Sequence, residues 1–213
     1  MKIFVAIPCM DMMYSRTANC LLSLRIPDDA TLCHGFAIGS LVYDARNRLM
    51  DAAIKDGFDY ILWVDSDMVF PPESLQMLYA DMQETKADIV TGLYVSRKPP
   101  IQPVVYSKCR RDKDEDGQDA IVVRKYMDYP RNDLFPVEAM GFGLCFMTTD
   151  FCKKLLEQAG PPFIPIPGLG EDLSFCVHAN DAGAKMFCDS RIKCQHIGTY
   201  EYGEDDFLVM EGL

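Results

Sequence analysis

The run Tyr60-Ile-Leu-Trp-Val64 is an uninterrupted apolar stretch that begins after Asp59 and ends in two carboxylates, Asp65 and Asp67, two positions apart. A run this short between polar residues has the length of a fully buried strand. The stretch Leu41 to Lys55 just before it places Val42, Ala45, Leu49, Ala52 and Ala53 on one helical stripe, with Gly57 where a C-terminal cap would stand. A helix delivered directly into a buried strand is the repeating unit of an α/β sheet.

The rest of the chain continues the alternation. Further strand-like runs lie at Ile3 to Ile7, Ile89 to Leu93, Val104 to Tyr106, Ile121 to Val123 and Leu144 to Thr148. Pro71 and Pro72 open a helix carrying Leu75, Leu78, Tyr79 and Met82 on one face. Asp150 is the expected cap of a helix over Phe151 to Gln158, closed by Gly160, and another helix runs from Glu171 or Asp172 to Ala182, closed by Gly183. The pattern predicts a three-layer α/β/α sandwich with a mostly parallel sheet, one domain over residues 1–213. Lys108 to Asp119 is too rich in charge and turn residues to bury a core, and is expected to form an exposed hairpin or mobile charged loop. The tail Thr199 to Leu213 mixes aromatic and acidic residues and is expected to fold as a lid over a ligand site or to fray.

Charge narrows the partners. Lys plus Arg total 21 against 32 for Asp plus Glu, a net −11, which disfavours an electrostatic grip on nucleic acid or anionic lipid. An anionic ligand then needs a local site, with a cation to neutralise it. The longest stretch without Asp, Glu, Lys or Arg, Ala30 to Tyr43, is shorter than the roughly 20 apolar residues that span a bilayer. Met1 to Pro8 lacks the apolar core and cleavage site of a signal peptide. Nine cysteines, an odd number without a C-x-x-C pair, suit free thiols in a reducing compartment. Cytoplasmic residence is the expectation. Cys188, Cys194 and His196 lack a fourth ligand at the spacing a structural zinc site uses.

Several residues carry candidate chemistry. Asp65 and Asp67 emerge at the C-terminal end of a strand, where α/β sheets bind ligands, and two hard oxygen ligands suit Mg2+ or Mn2+ against a diphosphate. Acidic residues also end strands for purely structural reasons. Glu171 and Asp172 stand at a helix N-terminus behind Gly168 and Gly170, a position that serves a catalytic carboxylate or a cap. His196 suits a metal ligand or an ordinary core or surface role. Arg46, with Asn47, and Arg97, with Lys98, would complete a clamp on two phosphates or lie solvated in loops. Gly141 and Gly143 around Phe142 suggest backbone that approaches a ligand, or a plain β-bulge.

In order along the chain, Phe4-Val-Ala-Ile-Pro8, Ala45-Arg46-Asn47, Ile61-Leu-Trp-Val-Asp65-Ser66-Asp67-Met68, Thr91-Gly92-Leu-Tyr94, Met140-Gly141-Phe142-Gly143, Gly170-Glu171-Asp172 and His196-Ile-Gly198 resemble the GT-A fold glycosyltransferases, the small family-2-like bacterial and phage-type enzymes in particular. The resemblance covers residues 3 to 198 and implies transfer of a sugar from a nucleotide-sugar donor to an acceptor hydroxyl. The acceptor classes it admits are a glycan, a lipid-linked molecule, a protein or a modified nucleobase. By the same resemblance Pro8, Cys9, Asp11, Arg46, Asp65, Ser66, Tyr94, Lys98, Gly141, Phe142 and Gly143 bind the donor. Asp65, Asp67 and His196 hold Mn2+ or Mg2+, Asp172 is the base of an inverting reaction, and Glu171 lies near the sugar or acceptor. The chain is short for the family, and nothing in it resembles an acceptor domain.

Two other classes share features. A haloacid-dehalogenase-like phosphatase would use Asp65 as nucleophile and Asp67 as acid/base, with Lys153 or Lys154 and Asp172 completing the site, but that motif belongs on a first strand. A non-catalytic nucleotide-sugar-binding protein would be marked by loss of the acid pairs, and both are present. A sugar nucleotidyltransferase would need a glycine-rich loop after its first strand, and Pro8 to Ser15 contains no glycine.

Overall fold

Strand side chains alternate between two cores, and that alternation builds the molecule. The computed structural model describes residues 1–39, 41–113 and 116–199. Its elements run in the order β1 (Lys2–Cys9), α1 (Ser15–Leu22), β2 (Thr31–Ile38), α2 (Val42–Lys55), β3 (Tyr60–Val64), β4 (Met68–Val69), α3 (Ser74–Thr85), β5 (Ile89–Leu93), β6 (Val105–Lys113) and β7 (Asp119–Lys125). They continue with β8 (Leu134–Pro136), β9 (Ala139–Met140), β10 (Leu144–Thr148), α4 (Thr149–Ala159), α5 (Glu171–Asp181), β11 (Met186–Lys193) and β12 (Gln195–His196).

The central sheet has seven strands in the order β2-β1-β3-β10-β5-β11-β8. β2, β1, β3, β5 and β11 run one way, and β10 and β8 run against them. Phe4, Ala6, Ile61, Trp63, Cys145 and Met147 point to a core shared with α2, α4 and α5. Ile3, Val5, Ile7, Leu62, Val64, Leu144 and Phe146 point to the opposite core, under α1 and α3. This is the expected three-layer arrangement, with both sheet faces buried because helices cover each. Among the described residues, no helix is long and apolar enough to cross a membrane.

The charged segment Lys108 to Asp119 takes the hairpin form of the two expected for it: β6 reaches Lys113 and pairs antiparallel with β7 from Asp119. Its charges stay half in solvent while finding partners, as Arg110 with Glu138 at 3.1 Å and Arg111 with Asp181 at 3.1 Å. Two differences from the sequence reading have local causes. The α4 cap is the Thr148 side chain, which accepts from the Phe151 N–H, while Asp150 lies inside the helix and pairs with Lys153. α1 and β2 escaped the sequence reading, since α1 is a short helix without a side-chain cap and β2 shows no regular alternation of buried and exposed residues. The expected lid over 199–213 falls on residues 200–213, which lie outside the described residues.

Two small sheets shape the surface above the strand ends. β12 pairs antiparallel with β4, matching His196 to Met68, and the Ile197 N–H donates to the Asp67 carbonyl at 2.8 Å. This register carries His196 back across more than a hundred residues to Asp67. β7, β6 and β9 form the second sheet, which Asn180 of α5 ties down by donating from Nδ2 to the carbonyls of Cys109 and Glu138, both at 2.7 Å.

Candidate active site

Above the C-terminal ends of β1, β3 and β5 opens a cleft of about 1300 Å³. Pro8, Cys9, Asp11, Arg46, Asp65, Ser66, Asp67, Tyr94, Lys98, Phe142, Glu171, Asp172 and His196 all line it. Residues as far apart in the chain as Pro8 and His196 therefore share one cavity, because strand ends, loop tips and helix N-termini meet there.

Arg46 is the buried centre. It projects from α2, is 3% exposed, and donates from Nη2 to both Asp65 oxygens at 2.9 and 3.2 Å. Its Nε lies 3.5 Å from Glu171. Trp63, Phe142 and Phe163 surround the guanidinium with ring centroids 5.3 to 5.9 Å away. Burial works to lower the arginine pKa, but Asp65, Glu171 and Asp172 together outweigh it and raise the pKa. The same burial raises the Asp65 carboxyl, against the lowering pull of Arg46. The neighbouring Asn47 faces elsewhere: its Oδ1 accepts from the Phe163 N–H at 3.2 Å and pins the loop that leads to Glu171.

Asp172 is the second residue of α5 and its Oδ1 accepts from the Leu173 N–H at 2.7 Å. That contact lowers the carboxyl, yet burial first and Glu171 second raise it above the ordinary value. Desolvation therefore outweighs the helix N–H contact at this carboxyl. A raised carboxyl is a stronger proton acceptor once ionised.

Asp67 and His196 form the second cluster. His196 Nε2 lies 3.4 Å from Asp67 Oδ2, and its Nδ1 is 3.1 Å from the Val95 carbonyl. A carbonyl on Nδ1 keeps a proton there, so Nε2 faces Asp67 and, once deprotonated, turns its lone pair toward that carboxylate, the orientation a metal-ligating histidine uses. Two neighbouring ligands of one octahedral ion at ~2.1 Å stand about 3 Å apart, so Oδ2 and Nε2 fit adjacent positions on a divalent cation. Arg97 reaches the same Asp67 Oδ2. Burial raises the Asp67 carboxyl, but the His196 contact and Arg97 outweigh it and lower the pKa. Asp65, by contrast, turns its carboxylate to Arg46. Among the described residues, no group of three or more His, Cys, Asp or Glu side chains could hold a metal ion by itself.

Gly141 and Gly143 do not line the cleft; they make room for Tyr94. A Cβ on Gly141 would meet the Tyr94 hydroxyl, and one on Gly143 would stand 2.8 Å from Met68 Sδ and 3.0 Å from the Tyr94 ring. The Gly143 N–H donates to the Tyr94 hydroxyl at 3.3 Å, and the Tyr94 ring meets His196 edge-on at 5.5 Å. Tyr94 thus supports the histidine from behind. Sequence reasoning missed Tyr106 and Lys125, which also line the cleft, with Lys125 Nζ 5.1 Å from the Tyr106 ring centroid. Only the β6–β7 register brings the two together, so no local pattern announced them.

The phosphatase constellation does not assemble. Both Asp65 oxygens are taken by Arg46, Lys153 pairs with Asp150, and Lys154 donates to the Ala182 carbonyl.

Comparison with known proteins accords with this geometry. A family described as glycosyl transferase family 2 matches residues 40–151, more than half of the chain, from the start of α2 through β10. Among solved structures, A197 from STIV superposes with a TM-score of 0.63 at 20% identity, covering 93% of this chain and 86% of that one. GalNAc-T7, solved with UDP, GalNAc and Mn2+, superposes with a TM-score of 0.60 at 13% identity, covering 94% of this chain but 43% of its own. Identities this low speak to fold. No curated protein matches in sequence. The sandwich of helices on a mostly parallel sheet, with its cleft at the strand ends, is the GT-A fold, and the chain belongs to glycosyl transferase family 2 as a glycosyltransferase.

Proposed function

We propose that the protein transfers a sugar from a nucleoside diphosphate sugar to an acceptor hydroxyl, with a divalent cation at Asp67 and His196 and with Asp172 as general base. The observation that carries this reading is the single cleft holding the Arg46–Asp65–Glu171 cluster, the Asp67–His196 pair and the Asp172 carboxylate. The neighbour solved with UDP, GalNAc and Mn2+ supports the donor class and the ion.

Each residue then has a physical task. Pro8, Cys9, Asp11 and Ser66 border the nucleotide side, and the Arg46–Asp65 pair offers it a rigid carboxylate edge. Bound Mn2+ or Mg2+ would supply positive charge to the diphosphate leaving group. Asp67 and His196 would hold the ion, and Arg97 and Lys98 add cations beside it. Asp172 accepts the acceptor hydroxyl proton as that oxygen bonds to the anomeric carbon. The bond from the anomeric carbon to the diphosphate oxygen breaks, and the nucleoside diphosphate leaves with its electron pair.

The test is incubation with a panel of nucleotide sugars and Mn2+ while nucleoside diphosphate release is followed. Release is expected slowly to water and faster with an acceptor, and should fall in EDTA, in Asp67→Ala and in His196→Ala. Donor affinity measured by calorimetry should weaken in the same three cases. Unchanged affinity in EDTA would remove the metal from the mechanism, and a phosphorylated Asp65 would overturn the transferase reading.

A further inference from the structure

The two margins of the central sheet are built differently. At one end β8 is a three-residue strand that ends in Pro136, an edge too short and too blunted to recruit another strand. At the other, β2 pairs with β1 over eight unbroken residues and carries neither Asp, Glu, Lys or Arg nor proline. Among the described residues no strand lies beyond it. The Thr31 N–H donates to the Met1 carbonyl and the Gly39 N–H to the Cys9 carbonyl, so odd-numbered residues turn their backbone groups toward β1. Leu32, His34, Phe36 and Ile38 turn theirs outward, the Ile38 carbonyl toward Arg48 Nη2 at 3.5 Å. Phe36 is 57% and Ile38 61% exposed, large apolar side chains on an open edge.

The order of residues on this edge says what it fits. Leu32-Cys33-His34-Gly35-Phe36-Ala37-Ile38 is nearly symmetric about Gly35: a ring on each side, then a small residue, then an aliphatic one. We infer that two copies of this chain pair antiparallel along β2, about a two-fold axis through Gly35, into one continuous sheet. Leu32 of one copy then faces Ile38 of the other, and His34 faces Phe36. These are the residues with outward backbone groups, so each pair exchanges both N–H···O bonds. Cys33 faces Ala37 in the intervening, closer pairs. Each copy carries a net −11, and β2 has no charged side chain of its own, so the seam brings none of that negative charge into direct opposition; the charge at its end is the cation of Arg48, beside Ile38. The two-fold turns the strands of the copies in opposite directions, so their clefts open at opposite margins and neither blocks the other.

Sedimentation and cross-linking of the full chain test this. The wild type is expected at twice 24.1 kDa at micromolar concentration, and Phe36→Lys and Ile38→Lys at 24.1 kDa with unchanged melting. Mild oxidation of Ala37→Cys should give a covalent dimer that disappears when Cys33→Ser is added, because facing residues of such a pair lie within disulfide reach. A wild type of 24.1 kDa overturns the proposal, including one that dimerises only after residues 200–213 are deleted, which would assign the edge to the chain's own tail. A dimer that survives both lysine variants also overturns it.

Discussion

Arg46 and Arg191 each hold two carboxylates, yet the two clusters are built inside out relative to one another. In the cleft the cation is buried, 3% exposed, while Asp65 and Glu171 are 28% and 20% exposed and face the cavity. Between α3 and β11 the carboxylates are buried, Asp81 at 4% and Asp189 at 0%, while Arg191 is 44% exposed. A buried cation fixes carboxylates that remain available to a ligand; buried carboxylates held by an outward arginine bind helix to strand and offer solvent only a cation. Asp81 Oδ2 and Asp189 Oδ2 are buried without a hydrogen-bond partner. Burial first and the contact with Asp189 second raise the Asp81 pKa, against the lowering pull of Arg191.

Removing the arginines should separate the clusters most sharply. Arg46→Met leaves Asp65, Glu171 and Asp172 together without their buried counter-charge and should cost about 3–5 kcal/mol of stability, read by denaturant unfolding. Arg191→Met should cost less, because the arginine is half in solvent and the raised Asp81 carboxyl can take up a proton. An equal loss would mean that inverted burial does not set the energetics.

Asp172→Asn keeps the Oδ1 that accepts from Leu173, so it should fold and bind donor normally while turnover falls by about 10²-fold or more. Glu171→Gln should act mainly on the apparent affinity for sugar or acceptor. Asp189→Asn, a buried carboxylate outside the cleft, should leave turnover of the folded protein near wild type. Because Asp172 is raised and must be ionised to accept a proton, kcat should climb as pH rises through its folded pKa, and the Asp172→Asn residue of activity should lose that limb. Near wild-type turnover in Asp172→Asn would reduce Asp172 to a structural role.

The smallest effect is on stability against pH. Asp81 is raised from 3.8 to about 7, chiefly by burial and then by Asp189. The folded form therefore holds a proton that the unfolded chain has released, and the stabilisation is complete below about pH 4 and lost as pH rises to 7. Melting of the wild type should fall over that interval by more than melting of Asp81→Asn, which has no such proton to lose. Parallel profiles would show that Asp81 holds no such proton.

Much of the cleft was legible in sequence. The strand Tyr60–Val64 is an example: an apolar run must end where burial ends, so Asp65 and Asp67 were bound to emerge at a strand terminus. Glu171 and Asp172 were legible because glycine and acidic residues mark a helix start. Arg46 was legible as a residue but not as a buried one, since its aromatic surround comes from Trp63, Phe142 and Phe163 on three separate segments. Gly141 and Gly143 were read as room for a ligand when the room is taken by Tyr94, a side chain nearly fifty residues earlier. The Asp81–Asp189–Arg191 cluster had no signature at all, because its members lie 110 residues apart and each is ordinary in its own segment.

Local patterning by itself determined the sandwich, the buried strands and the placing of acidic residues at their ends, because burial period and capping act over a few neighbouring residues. Tertiary structure decided which charges share a partner. The β12–β4 register carries His196 to Asp67, the β6–β7 register brings Lys125 onto Tyr106, and packing of α2 against β3 and α5 puts Arg46 between Asp65 and Glu171. Coulomb and desolvation energies depend on distance and depth, and neither exists until the chain is folded.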